Sequence, residues 1–216
     1  MEKPERSLRP ATRSITAGPA LLSIRFRQEE DSRAGLYDFS DIVYQMRLQL
    51  PGVEVYGGFR NGAGEADSLN YLNLGANIAG ALPLAGNQRA ALNLPLWLST
   101  DYTRIRETGG QQSESDQFRE SSASIGLGAG AFLRPLDNMR IRAEFVPQIG
   151  FTVSSFGRDS GQLSTLNGRI RLHVDNVIER FGISVTYNYR WRRYAGSDDR
   201  FNYDMEGHHL GLGISF

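Results

Sequence analysis

The stretch that decides the fold is His209-Leu210-Gly211-Leu212-Gly213-Ile214-Ser215-Phe216. Every second residue is apolar: Leu210, Leu212, Ile214 and Phe216. Between them stand His209, Gly211, Gly213 and Ser215. Side chains alternate across a strand, so this is a strand with one greasy face and one small or polar face.

The same rhythm recurs upstream. Ile42, Tyr44, Met46, Leu48 and Leu50 alternate with Val43, Gln45, Arg47 and Gln49. After a Pro51-Gly52 turn, Val53, Val55, Gly57 and Phe59 alternate with Glu54, Tyr56, Gly58 and Arg60. Leu72, Leu74, Ala76 and Ile78 oppose Tyr71, Asn73, Gly75 and Asn77; Leu92, Leu94, Leu96 and Leu98 oppose Asn93 and Ser99, with Trp97 on the polar side. Further on, Ile125, Leu127, Ala129, Ala131 and Leu133 oppose Ser124, Gly126, Gly128, Gly130 and Arg134. Met139, Ile141, Ala143 and Phe145 oppose Arg140, Arg142 and Glu144. Leu166, Ile170, Leu172 and Val174 oppose Asn167, Arg169, Arg171, His173 and Asp175. Phe181, Ile183, Val185, Tyr187, Tyr189 and Trp191 oppose Ser184, Thr186, Asn188, Arg190 and Arg192. With Leu22, Ile24 and Phe26 against Ser23, Arg25 and Arg27, and with the terminal strand, the count is ten.

The connections sort into two kinds. Those near 51–52, 85–88, 135–138 and 176–180 are short; those near 29–40, 61–68, 105–118, 156–164 and 195–202 are longer and polar. Short turns and both termini at one end, with long loops at the other, suit a transmembrane barrel better than a soluble sandwich. On these residues the chain resembles the small bacterial outer-membrane β-barrel proteins. The resemblance implies an all-β, closed, up-and-down antiparallel barrel over residues 19–216. Residues 1–18, polar and Arg-rich, are then a periplasmic tail or a plug. It also implies an outer-membrane location in a Gram-negative-type cell envelope, with both termini periplasmic. Leu210, Leu212, Ile214 and Phe216 become the β-signal read by the barrel-insertion machinery. Outer-membrane lipid and lipopolysaccharide are the surroundings, and the long loops are free to meet an envelope or surface protein.

Composition agrees with this class. The chain has 216 residues, enough for one barrel domain, and 24 basic against 24 acidic side chains. Zero net charge gives no pull toward nucleic acid. There is no Cys, hence no disulfide or thiolate metal site. Neither a metal nor another cofactor is expected. No stretch approaches the roughly 18 apolar residues of a spanning helix, which leaves strands free to span. The first seventeen residues lack the apolar core of a signal peptide, so the numbering is expected to describe a mature or recombinant chain with an added Met.

Aromatic residues gather toward strand ends. Phe59, Tyr189, Trp191 and Tyr194 lie near the long loops, and Phe181 and Phe216 near the short turns, as interfacial girdles do. Pro95 and Pro147 sit inside strands and remove ladder donors, which predicts bulges there.

The candidate functional residues are the inward charges: Arg140, Arg142, Arg169, Arg171, Arg190 and Arg192, with Glu144 and Asp175. Arg25, Arg27 and Arg47 join them from across the barrel, and Glu54 and Asp101 add acids. One reading is salt-bridged filling of the lumen. The other is a small anion-preferring, porin-like path, because rings of Arg attract anions. A ten-stranded lumen is only slightly wider than the eight-stranded kind that side chains fill.

Two alternatives stand beside the structural or partner-binding barrel. Ten strands invite comparison with the omptin proteases, which use Asp and His at the outer rim. Asp198, Asp199, Asp204, His208 and His209 cluster there in sequence, with Asp204 and His208 the pair such a hydrolase would need. No Asp–Asp and Asp-x-His pairs face each other as that family requires. The other alternative is a soluble or filament-forming β protein, which the contiguous apolar face disfavours.

Overall fold

The computed structural model describes residues 13–27, 38–62, 69–107, 117–154, 160–196 and 202–216. It is built of strands: β1 (Ser14–Phe26), β2 (Phe39–Leu50), β3 (Val53–Arg60), β4 (Leu69–Gly86), β5 (Ala90–Glu107), β6 (Phe118–Leu127), β7 (Ala129–Leu136), β8 (Met139–Ser154), β9 (Ser160–Ile178), β10 (Phe181–Ala195) and β11 (Tyr203–Ser215). All pair antiparallel with their neighbours.

The eleven strands make ten staves. β6 and β7 are the upper and lower halves of one stave, each lying between β5 and β8. β4 pairs with β5 and β1 pairs with β11, so the sheet closes on itself. At the seam Ser14 faces Ser215 and Phe26 faces Tyr203. Arg13 and Phe216 exchange backbone hydrogen bonds of 3.2 and 3.0 Å, tying the two ends together.

The break between β6 and β7 has its cause in two prolines. Gly128 lies between Pro95 on β5 and the Val146-Pro147 step of β8, and it falls outside the ladder. Its N–H still donates to the Pro95 carbonyl at 2.9 Å, but Pro95 has no N–H to return the bond. The bulges expected at Pro95 and Pro147 are therefore absent. The register stays in phase on both sides of Gly128, and the shifts fall instead at Pro83/Ala85, Leu133/Leu136 and Phe181/Ile183. Losing one ladder bond costs less than reversing which face every following side chain presents.

Outward positions carry the apolar set, with Leu74, Ile78, Leu98, Ile125, Phe145, Ile170, Leu210 and Leu212 all exposed. Inward positions carry the polar set, and β1 departs from the expected phase. Leu22, Ile24 and Phe26 point inward and are buried, whereas Leu21 points out and is exposed. Arg25 and Arg27 consequently face outward, not into the lumen. The loop-end third of the lumen is apolar, so polarity there no longer separates inside from outside. Tyr194 turns inward for the same reason: it is buried and stacks on Tyr203 at 5.5 Å rather than joining a girdle. β1 begins at Ser14, so residues 14–18 are paired strand and not part of an amino-terminal tail. Residues 1–12, read as tail or plug, lie outside the described residues.

Candidate functional site

The lumen holds the candidate site. Its inward side chains form ion pairs that cross the barrel. Glu54 on β3 accepts from Arg47 Nη1 of the adjacent β2 at 2.8 Å and from Arg169 Nη2 of β9, on the opposite wall, at 2.6 Å. Asn77 Nδ2 adds a third donor at 3.2 Å. Arg169 Nε donates to Asn188 Oδ1 at 2.9 Å, and its guanidinium lies 4.5 Å from the Trp97 ring centroid. A charge-assisted bond and a cation–π contact thus fix one side chain from two directions.

A second strut lies toward the loop end. Asp101 on β5 accepts from Arg190 Nη1 at 2.9 Å and Arg192 Nη2 at 2.8 Å, both from β10 across the lumen. The Tyr56 hydroxyl donates to Asp101 and accepts from Arg190 Nη2 at 2.6 Å. Arg192 Nη1 reaches Glu120 at 3.0 Å, and the Tyr203 hydroxyl donates to the same carboxylate. Arg192 and Glu120 are each 2% exposed. Gln148, Ser99 and Asn167 extend the network along the wall, with bonds of 2.8 and 2.6 Å.

Above this layer the lumen becomes apolar. Ile24, Val43, Ile105 and Leu163 are almost wholly buried, and Phe26, Phe118 and Tyr203 meet ring to ring at 5.3 to 5.9 Å. Phe39 stacks on Tyr71 at 5.4 Å. Between the two layers a cavity of about 30 Å³ is lined by Arg47, Asn188, Arg190 and His209. That is room for a water or two.

At the short-turn mouth Arg140 grips Asp175 through two 2.7 Å bonds, and Arg171 Nη2 donates to Glu144 at 2.7 Å. Arg142 lines the open mouth with His173. The eight charged residues singled out from the sequence, Arg140, Arg142, Arg169, Arg171, Arg190, Arg192, Glu144 and Asp175, therefore all face the lumen. Glu120 and Tyr203 were missed. Carrying the inward phase of Ser124 and Ser122 two residues back would have found Glu120.

The omptin-like pair sits elsewhere. Asp204 is on the outer wall, bound to Arg27 at 2.5 Å and Arg193 at 2.9 Å. His208 is also outward, its Nδ1 sharing a 2.8 Å hydrogen bond with the Tyr187 hydroxyl and its ring 5.1 Å from that of Tyr189. His209 points inward onto Asn188 at 3.0 Å. Asp198 and Asp199 lie outside the described residues. Leu210, Leu212 and Ile214 face outward along β11, and Phe216 just beyond its end is exposed.

No protein-family model and no curated protein matches the sequence. Among solved structures, the outer membrane protease OmpT of Escherichia coli superposes over 100% of this chain and 99% of its own, with a TM-score of 0.52 at 9% identity. The fold is that of an outer-membrane β-barrel. At that identity the likeness is one of architecture. Two further barrels align at lower similarity. Ail, the attachment invasion locus protein of Yersinia pestis, solved with the heparin analogue sucrose octasulfate, covers 96% of this chain and 100% of its own (TM-score 0.37, 15% identity). The beta domain of the Bordetella autotransporter BrkA covers 93% and 100% (TM-score 0.31, 13% identity).

Proposed function

We propose that this chain is a sealed outer-membrane barrel: a rigid, membrane-spanning scaffold that presents its five long inter-strand connections outside and its termini and short turns to the periplasm. The observation that carries this reading is the pair of stacked layers in the lumen. The Arg–carboxylate struts cross the section from wall to wall, and an aromatic and aliphatic plug sits on top of them. A conducting path for anions needs a continuous wet passage lined by free positive charge. Here the mid-lumen guanidiniums of Arg169 and Arg192 are buried, that of Arg190 is partly buried, and all three are bound to Glu54, Asp101 or Glu120. Partners for such a scaffold are the surrounding lipid and lipopolysaccharide, the insertion machinery at the Leu210–Phe216 strand, and an envelope or surface protein at the loops.

Planar-bilayer recording in KCl tests the sealing. The expected trace is flat at protein densities where insertion is verified independently. Reproducible unitary steps with a chloride-favouring reversal potential would instead make the lumen a pore.

A further inference from the structure

The short-turn mouth is not filled like the rest of the lumen. A cavity of about 240 Å³ opens there, lined among others by Arg13, Gln49, Arg140, Arg142, Arg171 and His173. A second space of about 120 Å³ shares Gln49, Arg142 and Arg171 and runs inward to Glu144 and Arg169. Together they form a vestibule that ends at the charged layer.

Its charge is unbalanced. Among the described residues five guanidiniums line it, Arg13, Arg140, Arg142, Arg169 and Arg171, against three carboxylates, Glu54, Glu144 and the Asp175 that Arg140 holds. Glu54 is shared with a sixth guanidinium, that of Arg47. The strand register sharpens the imbalance. Arg142 on β8 sits directly opposite Arg171 on β9. Like charges placed opposite one another across a sheet repel and destabilise it. Arg142 makes no hydrogen bond or ion pair among the described residues, and more than a third of its surface is open to the mouth. Arg171, 5% exposed, leaves its Nε unpartnered, and His173 leaves its Nδ1 buried and unpartnered.

We propose that this vestibule binds a multivalent oxyanion, of the phosphate class, between Arg142 and Arg171. A guanidinium presents a planar fork of donors that matches phosphate oxygens, and two forks side by side offer more donors than the local carboxylates consume. The bound anion relieves the Arg142–Arg171 repulsion. The layer above makes the vestibule a dead end, so the ligand enters and leaves by the short-turn mouth. Both free phosphate and a phosphate monoester carry the required chemistry.

The test is calorimetric titration of the whole folded barrel in uncharged detergent micelles. Inorganic phosphate is the probe in one arm and glycerol phosphate in the other. Saturable one-to-one binding is expected, weakened about tenfold or more in Arg142→Gln, the loss of one charged hydrogen-bonding partner. Arg142 makes no hydrogen bond or ion pair among the described residues, so this variant is expected to keep the fold, which a heat-modifiable gel shift verifies. Arg89→Gln, at the exposed tip of the β4–β5 hairpin, is expected to bind as the unaltered protein does. Tighter binding of the ester points to a phosphorylated metabolite, and tighter binding of inorganic phosphate points to the free anion. Absence of saturable binding by either probe would overturn the proposal, as would an Arg142→Gln variant that binds unchanged. Conductance steps would end the sealed-barrel reading and leave this result standing, so the two failures are distinct.

Discussion

Glu54 accepts from two guanidiniums that approach from different staves, Arg47 and Arg169. Taking it away leaves two buried cations with no counter-charge, which is far costlier than deleting an exposed pair. Glu54→Ala is expected to destabilise the barrel by about 3–5 kcal/mol in urea unfolding from lipid vesicles. Asp204→Asn, which removes two exposed ion pairs on the outer wall, is expected to cost about 1 kcal/mol or less. Equal effects would contradict the account of the lumen. Sterics give a second residue-scale prediction. A Cβ on Gly75 would stand 2.3 Å from the Tyr56 ring, while one on Gly80 meets nothing within 4 Å. Gly75→Ala should lose roughly 1–3 kcal/mol by overpacking and Gly80→Ala should not. Residue by residue, the inward charges were legible because an Arg in a membrane strand has only one tolerable side to face. Their partners were not. Which acid meets which guanidinium depends on staves that lie opposite each other, and no spacing along the chain encodes that. Arg25 and Arg27 were misread because their strand ends beside an apolar plug, where the inward set is as greasy as the outward one.

Strand length is the informative quantity at the scale of elements. β4 and β5 each run 18 residues and β3 only 8. β3 pairs with β4 as far as Val53 opposite Ile78, with one further bond from Ala79 N–H to the Gly52 carbonyl at 2.9 Å. Below that, β4 is paired only with β5 among the described residues, so the short-turn rim is cut obliquely. The hairpin rhythm made each strand legible, and it also supplied the number of staves. The oblique rim and the break at Gly128 were not legible, because both follow from how neighbouring strands align. The lipid-facing phase makes its own prediction. Ile170, near the middle of β9, is exposed on the outer wall between inward Arg169 and Arg171. Ile170→Arg is expected to cost about 2–4 kcal/mol in vesicles if that position sits near the bilayer midplane. A neutral result would place β9 outside the membrane.

For the whole molecule, closure and filling are separate achievements of one alternating pattern. Outward residues supply a continuous apolar surface, and inward residues meet across a lumen narrow enough for side chains to span. Period-two patterning predicts both faces. It does not tell a wet lumen from a packed one, because polar inward residues suit either, and only the cross-lumen contacts decide. The chain contains no cysteine, so single cysteines can be introduced along β10 and spin-labelled one at a time. The decisive measurement is the collision of those labels, in lipid vesicles, with oxygen and with a charged, water-soluble nickel chelate. At Ile183, Val185 and Tyr187, which face out, the account predicts frequent collisions with oxygen, which concentrates in lipid. At Ser184 and Thr186, both buried in the lumen, it predicts few collisions with either. Strong collision with the chelate at Ser184 and Thr186 would contradict the sealed lumen, and loss of the alternation would contradict the barrel itself.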